Sequence, residues 1–232
     1  MMHHQKKTIL ITGVNKGIGN GLATKLTALG HRVIGTVRQQ QAVKGISEIY
    51  PLDLTNSKSI ETLSQQLIQA DAPIDVLINN AGIGSDYYEN LSKEENFELR
   101  FQTHIFGLYF LTESLLPLMS PSGKIINISS KLASFDAVET MDCSQLSLTK
   151  TAYIMSKASL NMYTKILANQ LKHTAIEVLS VHPGWVKTNL SKTNQNAPMQ
   201  INESVDGILK ILEQPKPSGT FWDAEQQIQL NW

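Results

Sequence analysis

The chain has 232 residues, 41% of them hydrophobic and 17% charged, and its formal net charge is zero. These values are typical of one soluble globular domain with an ample core, and they exclude a disordered or disulfide-framed protein, since Cys143 is the one cysteine. No apolar run approaches the roughly 20 residues that span a bilayer, and no basic stripe favours nucleic acid, so we expect a cytoplasmic protein with no membrane or nucleic-acid partner.

Apolar, β-branched runs alternate along the chain with segments of helical periodicity, which predicts βαβ units and a parallel sheet. The predicted strands are Thr8–Thr12, Arg32–Val37, Glu48–Leu52, Val76–Asn79, Lys124–Ser129, Glu177–His182 and a short one near Thr220–Trp222. The predicted helices are Ile18–Leu29, Ser57–Gln69, Phe97–Pro117, Thr149–Lys172 and Asn202–Glu213. Because no linker divides them, we expect an α/β fold with a single doubly wound Rossmann-type domain over residues 1–232. Its parallel sheet should have about seven strands flanked by helices.

Three glycines, Gly13, Gly17 and Gly19, follow the first predicted strand and open the first predicted helix. Glycine permits unusual backbone angles and close approach to a diphosphate, and the helix N-terminus offers free N–H groups to the phosphates. Three residues rather than one separate the first two glycines, so the turn differs from the usual dinucleotide fingerprint. Plain turns also use glycine, and this alternative stays open on the turn alone.

The charged residues around this turn are all basic. Residues 1–47 contain seven Lys and Arg and no Asp or Glu, whereas the rest of the chain contains 13 basic and 20 acidic residues. A positive N-terminal fifth on a neutral protein favours an anionic ligand there. Solvated surface charge is the alternative.

Four more motifs follow the glycine turn in order: NNAG at 79–82, INISS at 126–130, YIMSK at 153–157 and HPGWVKT at 182–188. With TGVNKGIG at 12–19 they resemble the short-chain dehydrogenase/reductase family, and the overall pattern is closest to its carbonyl-reductase and C-factor-like branch. The resemblance implies a dinucleotide-binding oxidoreductase and no metal site. It implies these cofactor-binding residues: Gly13, Asn15, Lys16, Gly17, Ile18, Gly19, Arg38, Asp53, Leu54, Asn79, Asn80, Ala81, Gly82, Tyr153, Lys157, Pro183, Gly184, Val186 and Thr188.

The residues after the second strand bear on which dinucleotide binds. A cofactor without a 2′-phosphate is usually held there by an acid that bonds the ribose hydroxyls. Here Arg38 follows the strand, Lys16 lies in the glycine turn, and the first acid is Glu48. Both cations resemble those of NADP-preferring family members, so we expect NADP(H) in preference to NAD(H). For Asp53, contact with the adenine and a plain helix N-terminal acid both stay open.

Tyr153 and Lys157 lie one helical turn apart and can meet. Reduction of a carbonyl needs a hydride, which the cofactor supplies, and a proton. An ammonium about 4 Å from the phenol favours phenolate by about 4 kcal/mol at an effective dielectric near 20, which predicts a lowered Tyr153 pKa. The resemblance assigns proton donation to Tyr153, the nicotinamide ribose to Lys157, and the substrate oxygen to Ser130. Ser129 is the less favoured serine.

His104 stands where the family has an asparagine that helps to bend the helix and anchors a relay water. An imidazole titrates near neutrality and could relay protons in its place, which makes His104 a fourth candidate catalytic residue. A satisfied core histidine is the alternative, and both stay open.

The interval between Ser130 and Tyr153 is longer than in most family members, and residues 135–148 should loop outward from the pocket. The helices at 97–117 and 149–172 resemble those that form the family's dimer interface, so a homodimer or homotetramer is possible. The insert could preserve, redirect or block it. Aromatic side chains could line an apolar substrate cavity or simply pack: Tyr87, Tyr88, Phe135 and Trp185.

Two functions fit these patterns. The first is NADPH-dependent reduction of a small aldehyde or ketone to an alcohol, or the reverse reaction. The second is a dinucleotide-binding sensor or signalling protein with little turnover. Retention of Ser130, Tyr153 and Lys157 favours the enzyme, because a sensor needs no proton donor. His104, which stands in place of the family's asparagine, favours the sensor.

Overall fold

The computed structural model describes residues 6–232. In this range the strands are β1 (Thr8–Ile11), β2 (Arg32–Val37), β3 (Glu48–Pro51), β4 (Ile74–Asn79), β5 (Met119–Ile128), β6 (Glu177–His182), β7 (Thr220–Asp223) and β8 (Ile228–Leu230). The helices are α1 (Gly17–Ala28), α2 (Ser57–Gln69), α3 (Lys93–Phe101), α4 (Gly107–Leu115), α5 (Phe135–Thr140), α6 (Leu148–Gln170) and α7 (Ile201–Glu213).

The strands form one sheet in the order β3-β2-β1-β4-β5-β6-β7-β8. Strands β1 to β7 are parallel, and β8 pairs antiparallel with β7 at one edge. The order reverses between β1 and β4, and in doubly wound sheets such a switch point opens a crevice at the carboxyl ends of the strands. The predicted Rossmann-type domain is confirmed. The extra strand β8 was not predicted, because three residues are too few for a period to show.

Helices cover both faces of the sheet. Side chains alternate along a strand, so Ile9 and Ile11 of β1 pack into a core shared with α1 and α7, whereas Leu10 packs into a core shared with α2, α4 and α6. The central strands are therefore apolar on both faces, as parallel strands usually are. Helix α6 runs across the second face and carries Tyr153 and Lys157.

The segment predicted as one helix over Phe97–Pro117 is divided. Helix α3 begins at a capping box in which Ser92 and Glu95 bond each other's backbone N–H groups. A π-helical segment, Gln102–Phe106, separates α3 from α4 and contains His104. A π turn inserts an extra residue and bends the helix, often at a functional site.

A buried polar network joins the sheet to α4 and α6. The Asn79 amide donates to Thr112 Oγ1 at 3.1 Å and to Asn127 Oδ1 at 2.9 Å. The Asn127 amide donates to Thr164 Oγ1 at 2.9 Å, and this hydroxyl lies 2.8 Å from Ser180 Oγ. All five side chains are buried. The network therefore links β4, β5 and β6 to both helices.

The long interval before Tyr153 contains the short helix α5, which begins after a Ser134 cap. Phe135 at its start is 75% exposed, so the insert lies outside the cleft, as expected. Its backbone N–H donates to the Trp232 carbonyl at 3.1 Å, and the Asn231 amide donates to Asp136 Oδ2 at 2.9 Å. The C-terminal tail thus holds the insert, a contact that no local sequence pattern predicts.

Helices α4 and α6 present an apolar outer face. Its exposed side chains are Tyr109, Phe110, Met155, Met162 and Ile166, and the exposed Phe106 lies directly before α4, at the end of the π-helical segment. No helix within residues 6–232 combines the length and the apolar character that crossing a bilayer requires.

Candidate active site

A cleft of about 370 Å³ lies along the carboxyl ends of the central strands. Residues from every predicted motif line it, including the glycine turn, the NNAG turn, the helix α6 pair and the HPGWVKT segment. The predicted residues at its surface are Gly13, Asn15, Lys16, Gly17, Ile18, Gly19, Arg38, Asp53, Leu54, Asn80, Ala81, Gly82, His104, Tyr153, Lys157, Pro183 and Thr188. The fold therefore brings together residues that lie up to 175 positions apart in the chain, from Gly13 to Thr188.

The remaining predicted residues lie just behind this surface. Asn79 is buried in the polar network, and Val186 is buried where it bridges Met199. Gly184 adopts a positive φ of 91° beside Met199. Ser130 is buried at the end of β5, next to the Tyr153 phenol.

The glycine turn is shaped so that its backbone stays bare. A Cβ on Gly19 would lie 2.3 Å from the Gly13 carbonyl oxygen and 2.4 Å from the Asn80 amide, so no larger residue fits. The Asn80 amide donates to the carbonyls of Thr12 and Gly13, at 2.8 and 3.1 Å. Helix α1 begins at Gly17 with no side-chain cap and no acid in its first turn. Its first N–H groups therefore remain available to an anion.

Two cations lie at the cleft: Lys16 in the glycine turn and Arg38 directly after β2. Lys16 and Arg38 are exposed, line the cleft and have no acidic partner among the described residues. Glu48, the first acid of the chain, bonds Arg32 through both oxygens at 2.8 Å. Arg32 begins β2, whereas Arg38 follows its last residue, so Glu48 is held away from the cleft end of the strand. The cleft end of β2 is therefore cationic.

Asp53 follows β3 at the cleft surface. Its Oδ1 accepts from the backbone N–H and hydroxyl of Thr55, at 2.9 and 2.7 Å. The cap of α2 is Asn56 instead, whose side chain accepts from Lys58 and Ser59. Asp53 thus shapes the turn before the helix rather than capping it, and it remains a candidate for contact with a bound ligand.

Tyr153 and Lys157 line one end of the cleft, and Ser130 lies just behind it. The Ser130 side chain lies near the Tyr153 phenol and acts to lower its pKa, while its Oγ accepts from the Leu132 N–H at 3.3 Å. The Lys157 ammonium donates to the Ile128 carbonyl at 2.7 Å. Ser129, the less favoured serine, donates to Asn161 Oδ1 at 2.6 Å and is committed to holding α6 against β5. Ser129 lines the cleft and Ser130 does not, but Ser130 is the serine that acts on the Tyr153 phenol.

The predicted lowering of the Tyr153 pKa is wrong. Desolvation raises the pKa of Tyr153 above its ordinary value, and the Ser130 side chain opposes this shift. Burial lowers the pKa of Lys157 to about 7. A lysine that loses much of its charge near neutrality cannot stabilise a phenolate as a full ammonium would. Burial disfavours the charged form of both Tyr153 and Lys157, and this cost outweighs the Coulomb attraction between phenolate and ammonium on which the prediction rested.

His104 is buried in the π-helical segment, against the cleft. Its Nε2 accepts from the Ile83 N–H at 3.1 Å, and its Nδ1 lies 2.8 Å from Ser156 Oγ. The ring meets that of Tyr153 edge-on, with centroids 5.7 Å apart. Burial lowers the pKa of His104 well below its ordinary value, and nearby Lys157 and Arg100 lower it further. These contacts favour a satisfied, neutral histidine over a proton relay.

Of the four aromatic residues suggested for a substrate cavity, Tyr88 lines the cleft. Tyr87, Trp185 and Phe135 lie outside its lining, and Phe135 is the most exposed of them. The segment after β4 touches the segment after β6: a Cβ on Gly84 would lie 2.3 Å from the Leu190 carbonyl oxygen. The two segments are therefore in contact at this point.

Residues 7–198 match the family model for short chain dehydrogenase, which covers most of the chain. The chain belongs to the short chain dehydrogenase family. The resemblance that rests on the glycine turn, NNAG, INISS, YIMSK and HPGWVKT is therefore confirmed.

Known members of the short chain dehydrogenase family resemble this chain in sequence and in structure. Retinol dehydrogenase 14 of Homo sapiens is 34% identical over 215 residues, covering 80% of this chain and 63% of that protein. The chain thus spans less than two thirds of that relative's length. The NADPH-bound carbonyl reductase from chicken fatty liver superposes with a TM-score of 0.82 at 26% identity, covering 99% of this chain and 100% of that one. The carbonyl reductase Sniffer of D. melanogaster gives 0.82 at 27% identity, covering 98% and 100%.

Sequence reasoning missed several residues of this short chain dehydrogenase site. Thr12 accepts the N–H groups of Asn80 and Ala81 through its hydroxyl, at 3.0 and 2.9 Å, and so fixes the NNAG turn. Ser156 lies inside the YIMSK motif, yet its contact with His104 was not foreseen. The signal was available, since a serine three residues after Tyr153 on a helix falls on the same face.

The buried Lys157 predicts how stability depends on pH. Its folded pKa of about 7 lies below the unfolded value of 10.5, so between these values the unfolded chain binds the additional proton and the unfolding free energy rises with pH. Relative to the Lys157→Met variant, the wild type should gain about 3 kcal/mol from pH 7 to pH 10. Urea unfolding of both proteins at several pH values measures this difference.

The matched control is Lys58→Met, at an exposed lysine of α2. The difference in unfolding free energy between the wild type and this variant should not change with pH in this way. A Lys157→Met difference that stays flat from pH 7 to pH 10 would contradict the buried, largely neutral lysine.

Proposed function

We propose that the chain is an NADPH-dependent oxidoreductase that reduces an aldehyde or ketone to an alcohol, or catalyses the reverse reaction. The observation that carries this proposal is the Tyr153 phenol, which lines the same cleft as Lys157 and the glycine turn and lies near Ser130. When bound, a reduced nicotinamide supplies the hydride. The chain must then supply the proton.

Tyr153 is the proposed proton donor. Its raised pKa keeps the phenol neutral near pH 7, and a neutral phenol is the form that can donate. The Ser130 hydroxyl orients this phenol and can also donate to the substrate oxygen as negative charge develops there. Lys157, with a pKa of about 7, can be either ammonium or amine at neutral pH and is the proposed source of the replacement proton.

The cleft has the features that a dinucleotide phosphate requires. Gly13 and Gly19 leave backbone bare where a side chain would clash, and the N-terminus of α1 offers uncapped N–H groups. Lys16, in the glycine turn, and Arg38, directly after β2, would hold the 2′-phosphate, because both cations line the cleft and have no acidic partner within residues 6–232. The NADPH-bound carbonyl reductase of similar fold supports the same choice of cofactor. We assign the whole predicted cofactor set to this ligand, with NADP(H) preferred over NAD(H).

Turnover of NADPH tests the proposal. Purified protein mixed with NADPH and a panel of aldehydes, ketones and quinones should oxidise the cofactor with at least one compound, which absorbance follows directly. A parallel titration should measure NADPH binding. Tight binding with no oxidation across the panel would instead support the dinucleotide sensor, which the intact Ser130, Tyr153 and Lys157 set does not favour.

Pairing of two copies is also proposed. The outer face of α4 and α6, together with Phe106 before α4, has six large exposed apolar side chains, and a cluster of exposed apolar side chains is typical of an interaction surface. A homodimer through this face would bury it. The insert containing α5 lies next to the start of α6 and would border the contact.

A further inference from the structure

His104 is held between two separate parts of the site. The Ile83 N–H, which donates to Nε2, belongs to the segment after β4, while Ser156, at Nδ1, belongs to α6. Gly82 packs against the imidazole so closely that a Cβ there would lie 3.2 Å from Nε2. Both ring nitrogens are therefore used by the protein.

The direction of each hydrogen bond follows from the donor. A backbone N–H can only donate, so Nε2 must present a lone pair to Ile83. The proton of a neutral imidazole is then on Nδ1, which donates to Ser156 Oγ at 2.8 Å. Ser156 in turn donates to the Tyr153 backbone carbonyl at 2.8 Å. The result is one directed chain from Ile83 through His104 and Ser156 to Tyr153.

The charged and titratable groups around the ring favour this neutral form. Tyr153 and Lys157 face it from α6, Arg100 faces it from α3, and the segment after β4 contributes backbone. Arg100 is buried, donates to the carbonyls of Asn96 and Asp86, and has no carboxylate partner among the described residues. Burial, the Arg100 guanidinium and any charge on Lys157 therefore all oppose a second proton on the imidazole.

We infer that His104 and Ser156 are positioning residues for Tyr153, joined in a neutral hydrogen-bonded bridge that fixes the segment after β4 against α6. This inference rests on the proposed reductase function and adds to it a pair of residues that act through the proton donor. Because neither ring nitrogen is left for a water molecule, the replacement proton for Tyr153 bypasses His104.

Two substitutions of His104 separate shape from hydrogen bonding. In His104→Gln, the amide oxygen can accept from Ile83 and the amide nitrogen can donate to Ser156, so most of kcat should survive. In His104→Leu both bonds are lost, and kcat should fall about tenfold or more, because small misplacements of a reacting group are costly. KM for NADPH should change little in either variant. Full activity of His104→Leu would overturn the inference.

Ser156→Ala should lower kcat by a similar factor, and the double variant with His104→Leu should lose no more than either single one, since both break the same bridge. Ser159→Ala is the matched control: Ser159 also donates to a helix carbonyl, that of Met155 at 3.0 Å, but it lies on the outer side of α6. Additive losses would show that the two residues act separately. Thermal unfolding of each variant identifies any that fail to fold.

Nitrogen NMR of histidine-labelled protein tests the bridge without turnover. The His104 signals, assigned by their disappearance in His104→Gln, should show protonated Nδ1 and bare Nε2 with no titration between about pH 6 and 8. Titration in that range, or a proton on Nε2, would make the ring a candidate relay and overturn the inference. If the protein proved not to reduce carbonyls, this measurement would still decide whether the bridge exists.

Discussion

Replacement of Tyr153 by phenylalanine is expected to lower kcat for NADPH-dependent carbonyl reduction by roughly 10²- to 10⁴-fold, the range for loss of a general acid. The variant keeps the ring that packs edge-on against His104 and removes only the hydroxyl that Ser130 contacts. NADPH affinity should be little changed, because the loss falls on proton transfer. Steady-state kinetics and a binding titration on the same preparation measure both quantities.

Tyr163→Phe is the matched control on the same helix. Its phenol donates to Glu113 Oε1 at 3.0 Å, away from the cleft lining, so its loss should leave most of the activity. A Tyr153→Phe protein that reduces substrate at the wild-type rate would remove the proposed proton donor. The reductase proposal would then need a different acid in this cleft.

Neutralising Lys16 and Arg38 is expected to abolish the preference for NADPH over NADH. A charge-assisted hydrogen bond to phosphate contributes about 1.5–3 kcal/mol, so the double change to glutamine should weaken NADPH binding by roughly several hundredfold or more. Binding of NADH, which has no 2′-phosphate, should change far less. Dissociation constants of both cofactors, measured for the wild type, the single variants and the double variant, test this expectation.

Lys44→Gln is the control for net charge, because Lys44 is an exposed cation of the same basic N-terminal region that lies outside the cleft lining. It should leave the ratio of the two affinities unchanged. A wild-type protein that binds NADH as tightly as NADPH would contradict the assignment of both cations.

The sequence predicted the parts of the site that depend on glycine positions and on the order of strands and helices along the chain. The glycine turn lies where a strand passes into a helix. Gly13 and Gly19 have no side chains, so the sequence alone shows that the backbone of this turn is accessible. The carboxyl ends of parallel strands meet at one edge, so the ends of β1, β4 and β5 had to converge once the alternation of strands and helices was recognised. For this reason, both the family membership and the doubly wound sheet could be predicted from the sequence.

The parts that the sequence did not predict depend on three-dimensional surroundings. Whether Lys157 is charged is decided by how completely the fold buries it, which spacing along a helix does not show. The bonding of His104 required the positions of Ile83 and Ser156, which lie 21 and 52 residues away. The helical segment after Ser134 and the strand β8 are each short, and their position depends on contacts with distant residues.

The amides and hydroxyls buried between the sheet and helices α4 and α6 have a mechanical consequence. An apolar interface alone would let a helix slide along the strands at modest cost, since one aliphatic contact can replace another. Moving α6 by one residue would separate Thr164 from Asn127 and Ser180, which leaves the Asn127 amide N–H and the Ser180 hydroxyl without this partner, at about 1–3 kcal/mol for each orphaned group. These bonds therefore favour one position of α6 along the strands. Because α6 carries Tyr153, they also fix the position of its phenol relative to the strand ends.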